Sequence, residues 1–169
     1  MRRTLPVLLA CALLAGCGGA GSHITSTTKA STTTATTTAD STAQLEQAVR
    51  TALQENAKVS DYVLEHNAIP TWAPHSTAGP ALSGMRGSAT QRNSGHITVR
   101  VLSDEVHIES ISLAPSYTTA TANVTERSRV VPLHNGHRLG KAVVGNEHAQ
   151  FTLHRASGMT FVVWSVGRA

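Results

Sequence analysis

The sequence predicts an α+β domain, with one long N-terminal amphipathic helix packed on a curved antiparallel sheet of about four strands. Three observations predict it. Apolar residues recur at three- and four-residue steps between Leu45 and Val63. Apolar and polar residues alternate from Ile97 onward, and Asn135-Gly136 sits as a tight-turn signal between two such runs. All three fall within residues 43–169, a length that supports one core of ordinary size.

The helix is expected to start at Ser41-Thr42-Ala43-Gln44, a capping-box pattern in which Ser41 accepts from the Gln44 N–H. Leu45, Ala48, Val49, Ala52, Leu53, Val59, Tyr62 and Val63 then form one stripe, with Glu46, Arg50, Gln54, Glu55 and Lys58 opposite. The pattern fades at Asn67, ahead of Pro70. Residues 70–95 hold four glycines and three prolines. They read as loops with one irregular helix near Pro80 to Arg92.

Strands follow. Ile97, Val99 and Val101 alternate with Thr98 and Arg100, and a bulge is expected at Asp104-Glu105, because the hydrophobic phase changes before Ile111 and Leu113. Ala114-Pro115-Ser116 turns the chain into a Thr- and Val-rich return strand. Ala149, Phe151 and Leu153 share one face of the next strand. Met159 to Val166 is apolar on both faces, which predicts a central strand covered on both sides.

The N-terminus carries a different message. Arg2 and Arg3 precede eleven mostly apolar residues, Leu5 to Ala15, and then Leu14-Ala15-Gly16-Cys17 closes the segment. This is the layout of an export signal, and it resembles the lipobox of bacterial lipoproteins. The run is about half the ~20 residues that a spanning helix needs. Leu14 also suits the A-x-A pattern of an ordinary secretory cleavage site poorly. The resemblance implies a signal peptide over residues 1–16 and lipidation of Cys17, as a diacylglycerol thioether with an amide-linked acyl chain, at the extracytoplasmic face of the cell membrane. A soluble secreted form and an uncleaved anchor are the alternatives. Residues 17–42 would then form the lipidated cysteine and a tether. From Gly18 to Thr42 the composition narrows to Thr, Ser, Ala and Gly, too little apolar surface to offset ordering entropy. As a flexible coil this tether would span about 25–30 Å, with or without glycosylation.

Charge and cysteines exclude several classes. The formal net charge is +4, falling to +2 once Arg2 and Arg3 leave with the signal, too little to predict a nucleic-acid partner. The two cysteines, Cys11 and Cys17, both lie in the signal region, so the folded part has neither disulfides nor thiol chemistry.

The element order, with Glu147-His148-Ala149-Gln150-Phe151-Thr152-Leu153 followed by Met159-Thr160-Phe161-Val162-Val163-Trp164, and Val124-Thr125-Glu126-Arg127 before the longer hairpin, resembles the NTF2-like superfamily of cone-shaped domains. A cystatin-like domain is the alternative. The resemblance implies a cavity between helix and sheet, used by some members for catalysis and by others for binding. No catalytic residue of such a family maps onto a position here. Asp61, off the main apolar stripe, and Asp104-Glu105, at the expected bulge, read as solvated or turn residues. Tyr62, Trp72 and Trp164 are the cavity-wall candidates, against a plain core role. His134 and His137, expected to face each other across a two-residue hairpin, are weak metal-ligand candidates that lack a third ligand. No Gly-x-Ser-x-Gly elbow or phosphate-cradling glycine loop is present. The sequence therefore predicts a non-enzymatic, lipid-anchored envelope module without a cofactor. Its partner would be an envelope protein or a small ligand. The alternatives are a small cone-cavity enzyme (isomerase, lyase or hydrolase) or a histidine-based metal-binding lipoprotein.

Overall fold

The computed structural model describes the backbone of residues 36–168 and side chains from residue 41 onward. The signal segment, Leu14, Ala15, Gly16, Cys17 and most of the expected tether lie outside the described residues. The fold is α+β. Helix α1 (Thr36–His66) and helix α2 (Gly79–Ser94), joined through a short 3-10 turn at Ala73–His75, pack on five antiparallel strands. These are β1 (Ile97–Leu113), β2 (Thr119–His134), β3 (His137–Arg138), β4 (Val143–Ser157) and β5 (Thr160–Arg168). The sheet order is β1-β2-β4-β5, and the two-residue β3 pairs with the end of β2. No helix among the described residues is long and apolar enough to cross a membrane.

The α1 stripe does what its spacing predicts. Leu45, Val49, Ala52 and Leu53 are buried against Ala120, Ala122 and Val124 of β2, Phe151 and Leu153 of β4, and Phe161 and Val163 of β5. Removing side chains such as Leu153 and Phe161 fully from water is worth roughly 1.5–3 kcal/mol each. Lower down the helix, Val59 and Val63 join Ala73, Leu82 and Ala89 in a second cluster that seats α2. Arg92 fastens the same junction by donating to Asn67 Oδ1 at 2.9 Å and Val63 O at 2.8 Å.

Three local expectations are corrected. Helix α1 starts at Thr36 rather than Ser41, so the capping-box residues lie inside the helix. Nothing in Thr36-Thr37-Thr38-Ala39-Asp40 breaks a helix once packing at Leu45 has nucleated it, because propagation is cheap compared with nucleation. Helix α2 is a regular 16-residue helix. Gly79 and Pro80 serve its first turn, and Gly84 and Gly87 have no neighbouring atoms where a side chain would stand. Strand β5 lies at the sheet edge, not the centre. Phe161, Val162 and Val163 are buried while Trp164 and Val166 stay exposed, and Ser76-Thr77-Ala78 runs along that edge, Ala78 N donating to Val163 O and Val163 N to Ser76 O, both at 2.8 Å.

Strand β1 decides what the interior contains. Its register slips twice, between Val101 and Ser103 and between Ile108 and Ser110, so Leu102 and Glu109 are the extra residues rather than Asp104-Glu105. Each slip reverses the facing of everything beyond it. The helix-facing column therefore reads Val101, then Asp104, Val106 and Ile108, then Ile111 and Leu113.

Candidate functional site: a chamber beneath helix α1

Cross-strand pairing extends that column over the sheet. Leu113, Ala120 and Leu153 form one row, Ile111, Ala122 and Phe151 the next, and Ile108, Val124 and Ala149 the third. Beyond these apolar rows come Val106, Glu126 and Glu147, then Asp104, Ser128 and Gly145. The face thus changes from aliphatic to acidic beneath the second half of α1. Helix α1 adds Asp61 from above, while Glu65 accepts from the Val101 N–H at 3.1 Å.

Between these elements lies a chamber of about 120 Å³, lined by Leu53, Asn56, Ala57 and Ser60 of α1, Met85 of α2, Val106, Glu126, Phe151 and Val166. Leu53, Asn56, Ala57 and Ser60 follow a helical three- and four-residue step, which is why one helix face supplies them all. Asn56 is buried and donates to the fully buried Thr77 hydroxyl at 2.7 Å, holding that wall in place.

The acids in and around the chamber are perturbed together. Burial, then the charges of Asp104, Glu147 and Asp61, raise Glu126 to about 7. Burial, then Asp104 and Glu65, raise Asp61 to about 6. Burial raises Asp104 as well, and its Oδ1 atom is buried without a hydrogen-bond partner among the described residues. Charges that act on one another in this way couple the titrations of Glu126, Asp61 and Asp104. No group of three or more His, Cys, Asp or Glu side chains among the described residues is arranged to hold a metal ion.

The aromatic candidates lie elsewhere. Tyr62 stacks on His66, ring centroids 4.1 Å apart, and meets Trp72 edge-on at 6.3 Å. Trp164 stands at a register slip of β5, stacks on His154 at 4.6 Å and abuts Gly79. None of the three lines the chamber, because Tyr62 lies off the chamber-facing helix positions and the slip carries Trp164 to the edge. His134 and His137 are paired in register across the turn at Asn135 and Gly136, whose φ angles are 50° and 77°, and both are exposed. Asp61, Asp104 and Glu126 are the residues that sequence reasoning did not place inside. The usable signal was phase, since Glu126 continues Ala120, Ala122 and Val124, and Asp104 precedes Val106 and Ile108.

On the opposite face Thr125 Oγ1 contacts both Glu109 and His148 Nδ1, the latter at 2.9 Å, with Glu109 and His148 3.6 Å apart. The hydroxyl lies between acid and imidazole rather than at the end of a relay, and both side chains are well exposed. The arrangement is a polar ladder on a wet face.

These features define an α+β domain with a small, largely apolar chamber between helix and sheet, into which Glu126 is the one carboxyl turned among the described residues. No family model and no curated protein matches the chain. Among solved structures it is similar to the intermembrane space region of the chloroplast protein ARC6, at TM-score 0.60 and 10% identity, over 72% of this chain and 94% of that one. At that identity the likeness concerns the fold alone.

Proposed function

We infer that the chain is a lipoprotein acylated at Cys17 and held at the extracytoplasmic face of a cell membrane. Its folded part is a non-enzymatic, NTF2-like binding module. The anchor rests on the order Arg2-Arg3, apolar segment, Leu14-Ala15-Gly16-Cys17. One observation carries the binding role. Beneath α1 the core leaves a chamber open and turns the Glu126 carboxyl into it, where an aliphatic side chain would be more stable.

The size and chemistry of the chamber choose the ligand class. At about 120 Å³ it is smaller than the roughly 150 Å³ that accommodates a benzene ring, and well below the ~300–1,000 Å³ of drug-sized sites. It suits a short alkyl group against Leu53, Ala57, Val106 and Phe151, ending in an ammonium or similar donor at Glu126. A cation there relieves the mutual repulsion of Glu126, Asp104 and Asp61. Calorimetric titration at pH 8 with butylammonium and with butanol tests the reading. Heat with the cation, little with the alcohol, and loss of that heat in Glu126→Gln support it. No binding of either probe, or binding indifferent to the substitution, refutes it.

A second reading, a small cone-cavity isomerase or lyase, is favoured by Glu126 itself. A carboxyl that titrates near 7 in a largely apolar chamber is matched to general acid–base work. The chamber's small volume weighs against it, since little beyond a reacting headgroup enters.

A further inference from the structure

The strand alternation that turns acids inward turns bases outward. Glu126 faces α1, while Arg127 and Arg129 lie on the opposite face of β2, the latter flanked in register by Ser103 and Val144. Arg100, opposite Val131, shares that face, and Arg138 of β3, opposite Leu133, extends it. Lys141 follows in the next loop. All five are exposed, and none forms an ion pair with a described residue. Glu105, opposite Arg127, is the one acid on this part of the face. A net charge that is modest over the whole chain is therefore sorted by face.

Large apolar side chains are interleaved with these bases. Leu102 is 47% exposed, Leu139 55% and Val144 60%. Leu102 is the extra residue of the first slip in β1, Val144 pairs with Arg129, and Leu139 follows Arg138, so the group lies at the end of the sheet that carries the β2–β3 hairpin. Bases alone would suit any soluble polyanion. Three exposed aliphatic side chains beside them do not, because such a ligand gives them nothing to bury against. Arginine mixed with Leu and Val matches a bilayer interface, where anionic headgroups meet acyl chains.

We propose that this end of the sheet docks on an anionic lipid surface, with Arg100, Arg129 and Arg138 at the headgroups and Leu139 and Val144 at the acyl boundary. The proposal rests on the lipoprotein reading for its setting and gives the domain an orientation. The hairpin end lies beside the C-terminal end of α1, since Asn67 Nδ2 donates to Ile97 O at 2.6 Å. The start of α1 is therefore some 46 Å away, at about 1.5 Å per residue over 31 residues. The eighteen residues between Cys17 and Thr36 reach at most about 60 Å. An acylated Cys17 and a docked hairpin end can thus share one bilayer.

The test is co-sedimentation of the full chain carrying Cys17→Ser, which cannot be acylated, so the outcome is separate from that of the anchor. Vesicles of phosphatidylglycerol and phosphatidylcholine in equal parts are compared with phosphatidylcholine alone. The expected result is binding to the anionic vesicles only, weakened by salt. Binding weakens about tenfold or more in Arg100→Gln/Arg129→Gln, and falls again in Leu139→Ser/Val144→Ser. Circular dichroism confirms that these surface variants fold. Equal binding to both vesicles, arginine variants that bind like the parent, or serine variants without effect would each overturn the proposal. In the last case, displacement by soluble polyphosphate would reassign the face to free polyanions.

Discussion

Replacing Glu126 with glutamine probes the chamber most sharply, because it keeps the shape and removes the titration. Glu126 has an ordinary value of 4.5 and is raised to about 7 in the fold. The folded state therefore binds its proton more tightly than the unfolded state. The sign follows: the stability associated with the neutral carboxyl is fully present below pH 4.5 and is lost as pH rises through 7. At about 1.4 kcal/mol per unit, complete burial would make this about 3 kcal/mol. Glu126 is only half-buried, and solvent screening reduces the expected effect to about 1–2 kcal/mol. Glutamine has no such loss. Urea unfolding followed by circular dichroism at pH 5 and pH 8 should find parent and variant similar at pH 5. At pH 8 the variant should be more stable by that amount. Asp61, raised to about 6, contributes a residual slope in both proteins. A stability difference that is the same at both pH values would refute the reasoning.

Further outcomes follow from single contacts. Gly79 adopts φ +53°, and a Cβ there would stand 2.7 Å from the Trp164 ring, so Gly79→Ala should cost about 1–3 kcal/mol and shift Trp164 fluorescence. An unchanged melting temperature and spectrum would count against that packing. Asn56→Ala removes the donor to buried Thr77 and should cost about 1–3 kcal/mol in urea unfolding. Little or no loss would mean that the contact does not hold the chamber wall. Cys17→Ser should release the protein from membranes washed in high salt, which screens the docking face but leaves an acyl anchor in place, and identical fractionation of parent and variant under that wash would end the anchor reading.

Much of the architecture was legible because period and facing are coupled. The α1 stripe, the Asn135-Gly136 turn and the inward set Ala149, Phe151 and Leu153 each follow from spacing alone. What spacing does not carry is pairing. The position of β5 at an edge was hidden because Ser76-Thr77-Ala78, distant in sequence, covers it as a neighbouring strand would. The chamber was hidden for a related reason. A phase change reveals that a slip has occurred without saying at which residue. Two positions of error between Leu102 and Asp104 are enough to turn Asp104 from a turn residue into an interior one. The N-terminal limit of α1 was equally open to error, since Thr and Ala accept either helix or coil.

Binding in the chamber depends on the Glu126 carboxyl being held inward and answering to a cation. Carbon-13 carboxyl NMR of Glu126 across pH 4–9, with and without butylammonium, measures this directly. Titration near 7 in the free protein, moving down toward the ordinary carboxylate range when the cation is added, is the predicted result. Titration near 4.5 in the free protein, or a midpoint that the cation leaves in place, would contradict it.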